Sequence, residues 1–284
     1  MRRVNVVTGL ARSLAAAGLA IALAVGAPGA RASGDTAVDP LKALVDGAQR
    51  SDKNRLRDRY RHPLETLAFF GLKDDLTVVE ILPGSGGYWA EILAPYLAAH
   101  GRYYAAGPEN NPASPDGQKE IAAFAAKLAA DPADFGKVIV TEFAGDQHDI
   151  APPGTADLVV TFRNIHNWMA SGDADRAFAA FFKALKPGGV LGVEEHRGRP
   201  DQPQDPLARS GYVREDYAIA LAEKAGFRLL ARSEINANPK DTKDYPVGVW
   251  ALPPTYRLKD QDHARYEAIG ESDRFTLTFV KPAP

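Results

Sequence analysis

The segment that most constrains the fold of this chain is residues 78–89, which read Val-Val-Glu-Ile-Leu-Pro-Gly-Ser-Gly-Gly-Tyr-Trp. An apolar run with one acid leads into a glycine-rich turn, and a helical pattern follows the turn. Glycines in such a turn let the backbone approach a ligand where a Cβ atom would clash. The free N–H groups at the start of the next helix favour polar or anionic ligand groups. The pattern therefore predicts a strand, a tight loop and a helix that open a nucleotide-binding α/β domain.

Strand and helix patterns alternate along the rest of the chain. Strands are predicted over residues 76–82, 102–106, 137–143, 157–162, 190–195, 227–233 and 275–281. Helices are predicted between them over residues 88–100, 117–130, 173–185 and 212–225. Because such alternation places helices on both faces of a parallel sheet, we predict an α/β fold with a Rossmann-like, doubly wound, mostly parallel seven-stranded sheet. The last strand is expected to run antiparallel, since no clear crossover helix precedes it.

The first 32 residues have the pattern of a signal peptide. Arg2 and Arg3 give a positive start, residues 14–25 form a short apolar run, and Ala30-Arg31-Ala32 is typical of a cleavage site. The apolar run is shorter than the ~20 residues that a membrane span needs. We therefore expect cleavage after Ala32, a periplasmic protein, and no stable membrane insertion once the signal is removed.

Three segments are predicted within the mature chain: a helical cap over residues 33–71, an α/β domain over residues 72–284, and a lid-like insertion around residues 236–272. The net charge of −2 gives no sign of the basic stripe of a nucleic-acid-binding protein, so we expect no such partner. The chain has no cysteine and therefore no thiolate chemistry. The sequence offers no interface from which to predict an oligomeric state.

Two common nucleotide-binding fingerprints are absent from the glycine turn. The dinucleotide pattern G-x-G-x-x-G would need a third glycine where Trp89 stands, and the phosphate loop that ends in Gly-Lys-Ser/Thr is missing. The segment does contain an acid, Glu80, four residues before Gly84. This arrangement suits a ligand that contains a ribose but no pyrophosphate.

The ordered set of motifs resembles the class I methyltransferases that depend on S-adenosyl-L-methionine (SAM). Residues 80–86, Glu-Ile-Leu-Pro-Gly-Ser-Gly, match the acid and the last two glycines of that family's first motif, acid-x-Gly-x-Gly-x-Gly. Residues 157–160 resemble its fourth strand, and the Leu-Lys-Pro-Gly-Gly-Val-Leu of residues 185–191 resembles the turn into its fifth. The chain is also similar to an exported bacterial subgroup of predicted methyltransferases. Four segments carry this similarity: Arg-His-Pro-x-Glu-Thr-Leu at residues 61–67, Arg-Asn-x-His-Asn at 163–167, Glu-His-Arg at 195–197 and Gly-Glu-Ser-Asp-Arg at 270–274.

The resemblance implies that SAM is the cofactor and that a small molecule accepts the methyl group. The cofactor-binding residues that it implies are Glu80, Gly84, Ser85, Gly86, Glu109, Asp146 and Asn164. Two positions depart from the family pattern, because Leu82 replaces the first glycine and Gly107 replaces an acid that grips the ribose hydroxyls. Glu109 is the candidate substitute for that acid, and the alternative is that Glu109 is a solvated loop residue. Asp146 would lie near the adenine.

The candidate catalytic residues are His166, His196 and Arg163. Each follows a predicted strand end, at the edge where sheets of this type bind ligands. Histidine titrates near neutral pH and therefore suits the removal of a proton from a hydroxyl or amine acceptor. Arg61, Arg163 and Arg197 could orient an anionic substrate, or they could form ion pairs with neighbouring acids.

Two further functions are compatible with the sequence. Export away from cytoplasmic SAM, together with the departures at Leu82 and Gly107, would suit a non-catalytic protein that binds SAM or a nucleoside-like ligand. The two histidines with Glu194 and Glu195 could also ligate a divalent metal ion. Their spacing is not diagnostic, however, and we predict no metal.

Overall fold

A computed structural model describes residues 39–143 and 149–283. The predicted signal peptide and Asp146 lie outside these residues. The strands are β1 (Thr77–Ile81), β2 (Arg102–Pro108), β3 (Ile139–Phe143), β4 (Ala156–Phe162), β5 (Leu185–His196), β6 (Arg228–Ser233) and β7 (Arg274–Val280). They form one seven-stranded sheet in the order β3-β2-β1-β4-β5-β7-β6. All pairs from β3 to β5 are parallel, whereas β7 is antiparallel to both β5 and β6.

Helices cover both faces of the sheet. Their bounds are α1 (Pro40–Val45), α2 (Asp52–Arg55), α3 (Asp58–Arg61), α4 (Pro63–Phe69), α5 (Ala90–Leu97), α6 (Pro115–Ala130), α7 (Pro132–Phe135), α8 (Ile165–Ser171), α9 (Ala174–Ala184), α10 (Glu215–Lys224) and α11 (His263–Ile269). One 3-10 helix spans Gly248–Ala251. In the described part of the chain, no helix has both the length and the apolar character to cross a membrane. The strand order and the antiparallel pairing of β7 confirm the predicted doubly wound fold with an antiparallel last strand.

The sheet separates two apolar cores, because successive side chains of a strand point to opposite faces. On β1, Val79 and Ile81 face the core beneath α8, α9 and α10. Val78 faces the core beneath α1, α4 and α5. Burial on both faces explains why the central strands are continuous apolar runs rather than alternating ones.

The N-terminal helices are fixed to the sheet domain by buried charges. Arg50 donates hydrogen bonds to both carboxylate oxygens of Asp58, at 2.6 and 2.8 Å. Glu91 on α5 accepts from the Ser51 N–H at 3.2 Å and from Lys127 Nζ at 2.5 Å. These contacts place α2 and α3 beside the glycine turn that follows β1.

Residues 236–272 contain the 3-10 helix and α11, arranged around a small apolar cluster of their own. Tyr245, Val249, Leu252 and Tyr266 form this cluster together with Tyr212. The segment is joined to the sheet through Asn236, whose side-chain amide donates to the hydroxyls of Thr66 and Thr276 at 3.0 Å each. The insertion therefore lies over the carboxyl end of the sheet.

Candidate active site

The glycine turn after β1 holds backbone conformations that side chains disfavour. Gly84 and Gly87 have positive φ values of 69° and 52°. Leu82, which stands where the resembled family has a glycine, has a φ of 51°. This is the left-handed region that favours glycine. A leucine held there stores strain on the order of 1–3 kcal/mol, and such strain concentrates at functional sites.

Three hydrogen bonds hold the turn in this shape. The N–H of Leu82 donates to Ala106 O on β2 at 2.8 Å. The side-chain amide of Asn164, just after β4, donates to Ile81 O at 3.2 Å. On the outer side, Asn54 Nδ2 on α2 donates to Gly86 O at 3.1 Å. The ends of β1, β2 and β4 are thus linked at one edge of the sheet.

A cavity of about 470 Å³, the apolar cavity, opens beside this turn. Pro83 and Gly84 line it on one side, Gly107 and Pro108 at the end of β2 on another, and α6 contributes Phe124 with its neighbours. Ser85 and Gly86 are exposed on the outside of the turn. The space is concave and mostly apolar with a few polar groups, as small-molecule sites usually are.

An acid on the neighbouring strand lies beside Gly107, at the end of β2. A Cβ atom on Gly107 would touch only Thr141 O at 3.9 Å, so neither space nor a positive φ requires glycine there. Gly107 is paired in register with Glu142 on β3, and Glu142 lines the apolar cavity. Glu109 does not line the cavity, although both acids are exposed. Strand register, which the sequence does not state, brings Glu142 to this position.

Glu80 lies inside the domain rather than on a cavity wall. Its side chain is 1% exposed and accepts a hydrogen bond of 2.5 Å from the Tyr103 hydroxyl. Burial raises the pKa of Glu80 to about 7, against the opposing effects of Tyr103 and the charge of Arg61. Its role in holding the cofactor, like that of Asp146 outside the described residues, stays a prediction.

The two candidate histidines meet at the carboxyl ends of β4 and β5. Their ring centroids are 5.3 Å apart. Glu195 Oε2 accepts from the N–H groups of Ile165 and His166, at 2.6 and 3.3 Å, and so satisfies the first turn of α8. Glu195 Oε1 lies 3.1 Å from His166 Nδ1. With Nδ1 donating to this carboxylate, Nε2 of His166 is the nitrogen that can accept a proton.

The surroundings of His196 favour its neutral form. Its Nδ1 lies 2.5 Å from Ser272 Oγ. Burial lowers the pKa of His196 well below its ordinary value, and the positive charges of Arg163, Arg274 and Arg61 lower it further. His196 therefore suits hydrogen bonding to a ligand better than uptake of a proton.

The same three residues, His166, Glu195 and His196, place possible metal-ligand atoms within 4.8 Å of one another. Both oxygens of Glu195 are already engaged, by three backbone N–H groups and by the His166 ring. The surrounding charge is also positive, which opposes a divalent cation. The arrangement therefore fits a hydrogen-bonded base better than a metal centre.

A second cavity of about 230 Å³, the arginine cavity, lies next to the histidines. Its charged wall consists of Arg57, Arg61, Arg163 and Glu271, and His196 is also part of the lining. Arg163 directly follows β4 and has a φ of 59°, a second strained residue at this edge. The geometry therefore brings the predicted Arg163 and His196 together with Arg61 on one cavity wall.

Arg197, for which substrate orientation and ion pairing were both open, forms ion pairs. Its guanidinium group pairs with Glu215 at 3.2 Å, Glu234 at 2.6 Å and Asp273 at 3.5 Å. The ion-pair alternative is therefore the one that holds for Arg197.

Sequence reasoning missed four residues of the site: Arg57, Glu142, Trp250 and Glu271. Arg57 belongs to a charged run and Glu271 to the Gly-Glu-Ser-Asp-Arg segment, so both had a signal in the sequence. Glu142 and Trp250 had none, because their positions depend on strand register and on the path of the insertion.

Comparison with known proteins is informative at the level of structure. No family model matches the chain, and no curated protein matches its sequence. A SAM-dependent methyltransferase from Aquifex aeolicus is 17% identical with a TM-score of 0.53, over 86% of this chain and 98% of that chain. The [4+2]-cyclase SpnF is 16% identical with a TM-score of 0.54, over 86% and 92%.

A third solved structure contains the cofactor. Phosphoethanolamine N-methyltransferase 2 from Haemonchus contortus, in complex with S-adenosyl-L-methionine, is 15% identical with a TM-score of 0.52, over 87% of this chain and 61% of that chain. At such low identity these likenesses show the fold. They confirm the Rossmann-like architecture that the strand order already displays.

Proposed function

We propose that this protein is a SAM-dependent methyltransferase that acts on a small molecule. The observation that carries the proposal is the position of the His166–Glu195 pair, at the same sheet edge as the strained glycine turn. A cofactor cavity and an oriented base on adjoining strands are what methyl transfer to a hydroxyl or amine needs. The fold is shared with two methyltransferases, one of them in complex with SAM.

The residues around the apolar cavity fit the cofactor. Gly84 would let the backbone approach it, and Glu142 would accept hydrogen bonds from the ribose hydroxyls in place of the absent acid at position 107. Phe124 offers an apolar surface for an adenine ring. Asn164, which fixes the turn, would support the methionine end. When bound, SAM would supply an electrophilic methyl group.

His166 would act as general base. Its Nε2 would take the proton of the acceptor's hydroxyl or amine, while the Glu195 carboxylate holds the ring and stabilises the imidazolium that forms. General-base catalysis of this kind contributes typically about 100- to 10,000-fold to the rate. The neutral His196 would orient the acceptor by a hydrogen bond.

Titration calorimetry of the purified protein with SAM tests the cofactor assignment. Saturable binding is expected, and formation of S-adenosylhomocysteine across a panel of hydroxyl and amine acceptors would follow. No heat at high micromolar SAM would overturn the binding claim.

A second candidate function is binding of SAM or a nucleoside-like ligand without methyl transfer. The observation in its favour is Gly107, where the resembled family has an acid although a side chain would fit. One solved structure of the same fold is a [4+2]-cyclase. Tight SAM binding with no turnover across the acceptor panel would select this function.

We also propose that the protein is exported to the periplasm after cleavage behind Ala32. The support is the leader pattern of residues 1–32. Cell fractionation of the full chain and of a chain lacking these residues tests it, since only the full chain should reach the periplasm.

A further inference from the structure

The arginine cavity contains a buried cation that the protein leaves without a hydrogen bond. Arg61 is 2% exposed, and its Nε has no hydrogen-bond partner. Within residues 39–143 and 149–283, the guanidinium group donates no hydrogen bond, and Glu271 Oε2 is 3.8 Å from Nε. A buried charge is costly unless it is paired and hydrogen-bonded. Arg61, which is part of the cavity lining, is therefore short of an acceptor.

The charge of the cavity wall is unbalanced in the same sense. Three guanidinium groups, those of Arg57, Arg61 and Arg163, stand against the one carboxylate of Glu271. That carboxylate is already occupied, because it accepts from Arg57 Nε at 2.6 Å and from Arg274 Nη1 at 3.2 Å. Behind the wall, Glu194 Oε1 pairs with Arg163 Nη1 at 3.5 Å and with Arg274 Nη1 at 3.0 Å. Counted with these two residues, four guanidinium groups face two carboxylates among the described residues, so the excess is two positive charges.

The ionisation of these groups agrees with the geometry. Burial lowers the pKa of Arg61 well below its ordinary value, and the charges of Arg163 and Arg57 lower it further. Burial alone would raise the pKa of Glu271, but Arg274, Arg57 and Arg61 together lower it to about 2. Glu271 is thus ionised. Even so, burial and the neighbouring arginines disfavour the charged form of Arg61.

Another part of the cavity lining comes from residues 249–255 and is mostly apolar. It consists of Val249, Trp250, Pro253, Pro254 and Thr255. The Trp250 ring is 6.0 Å from the ring of His166, so the proposed base stands at the side of this cavity. A ligand here would have a small apolar body and a negatively charged end.

The geometry points to an anionic methyl acceptor, a small molecule whose carboxylate or phosphate group is bound by Arg61 and Arg163 in the arginine cavity. Planar guanidinium groups pair with both kinds of anion through parallel N–H donors. The claim that the bound anion is part of the methyl acceptor rests on the proposed function. The claim that the arginine cavity binds an anion does not. Bound there, the anion would hold the acceptor's nucleophile beside His166.

Titration calorimetry without SAM tests the site, with inorganic phosphate and acetate as separate probes at constant ionic strength set by chloride. We expect saturable binding of at least one probe, and the two probes distinguish a phosphate from a carboxylate ligand. Arg61→Gln and Arg163→Gln should each weaken binding tenfold or more, because each removes a charge-assisted hydrogen bond.

Arg59→Gln is the matched control, because Arg59 is an exposed arginine on the same helix as Arg61. It removes one charge near the cavity but no donor from its wall, so binding should be kept. No saturable binding of either probe, or equal weakening by Arg59→Gln and Arg61→Gln, would overturn the inference. Arg163→Gln keeps the test valid if Arg61→Gln does not fold.

Failure of this inference is distinguishable from failure of the proposed function. Anion binding is measured without cofactor, so it can be present even when SAM does not bind. Methyl transfer to neutral acceptors only, at rates that Arg61→Gln leaves unchanged, would overturn the anionic acceptor while the methyltransferase assignment stands.

Discussion

Two buried arginines in the N-terminal segment have opposite surroundings. Arg50 and Arg61 are each 2% exposed, and both guanidinium groups lie over the ring of Tyr88, at 5.0 and 4.3 Å from its centroid. Arg50 donates to Val45 O and to both carboxylate oxygens of Asp58. Arg61 donates no hydrogen bond to any residue that the structure describes.

The contrast separates a structural charge from one that we propose to be functional. A buried charge whose terminal nitrogens have acceptors holds secondary-structure elements together, as Arg50 does for α1 and α3. The Nε atoms of both arginines lack a hydrogen-bond partner among the described residues, so the difference lies in the terminal nitrogens. A buried charge that lacks them raises the free energy of the folded state until a ligand supplies the acceptor. Residue type and burial are the same in both cases, so only the partners distinguish the two roles.

The largest expected effect tests the structural side of this contrast. Arg50→Gln should lower the free energy of unfolding by about 3–5 kcal/mol, because it leaves Asp58 without its cation. In anion-free buffer, Arg61→Gln should change it by less than about 1 kcal/mol, because few native contacts are lost. Urea denaturation of both variants measures this. Equal losses would break the contrast.

The next effect concerns the reactive groups beside the arginine cavity. His166→Gln should lower the rate of methyl transfer by about 100-fold or more, because the general base is removed. SAM affinity should stay within about twofold, since His166 does not line the apolar cavity. Single-turnover rates and calorimetry separate the two quantities. A matched loss of SAM affinity would place His166 with the cofactor instead.

A smaller effect is expected at the apolar cavity. Glu142→Gln should raise the dissociation constant of SAM about 10- to 100-fold, which corresponds to one charge-assisted hydrogen bond of about 1.5–3 kcal/mol. Glu109→Gln is the control and should leave it unchanged. Conversely, Gly107→Asp should tighten binding. If only Glu109→Gln weakens SAM binding, Glu109 is the ribose-binding acid, as the sequence predicted.

The smallest effect is a pH dependence that burial and the positive charges around it impose on His196. Because the pKa of His196 is lowered in the folded state, the unfolded chain binds a proton that the folded chain does not as the pH falls below about 6.5. Stability should therefore be lost toward acid pH, by at most about 1.4 kcal/mol per pH unit. His196→Gln should flatten that decline between pH 6.5 and 5.5. The measurement is urea denaturation as a function of pH.

Phosphate or acetate at saturating concentration should also reduce the decline in the unmodified protein, since an anion in the arginine cavity would favour protonation of His196. A decline that neither the variant nor the anion changes would assign it to other groups. The measurement with phosphate or acetate connects this small effect with the contrast between Arg50 and Arg61, because it tests whether an anion binds beside Arg61.

Much of the fold was predictable because its signals are local. The glycine turn and the alternation of strand and helix patterns predicted the sheet, and β2 and β4 were placed to within two residues. β5 was less well predicted, since it begins at Leu185 rather than at residue 190. Gly188 and Gly189 extend the ladder by hydrogen bonds to Lys281, a partner far along the chain.

Helix α8 was not predicted, because it is short and its first N–H groups are satisfied by Glu195.

By itself, the sequence determined the fold class, and it predicted the sheet edge of the candidate site and the histidines and arginines that gather there. These follow from periodicity and turn chemistry, which depend on neighbouring residues. Only the tertiary structure decided that Glu142 stands beside Gly107, and that Arg50 is paired while Arg61 is not. Those outcomes depend on strand register and on contacts such as Arg57 to Glu271, which are 214 positions apart. A side chain's partners are set by packing, and packing is not a local property of the chain.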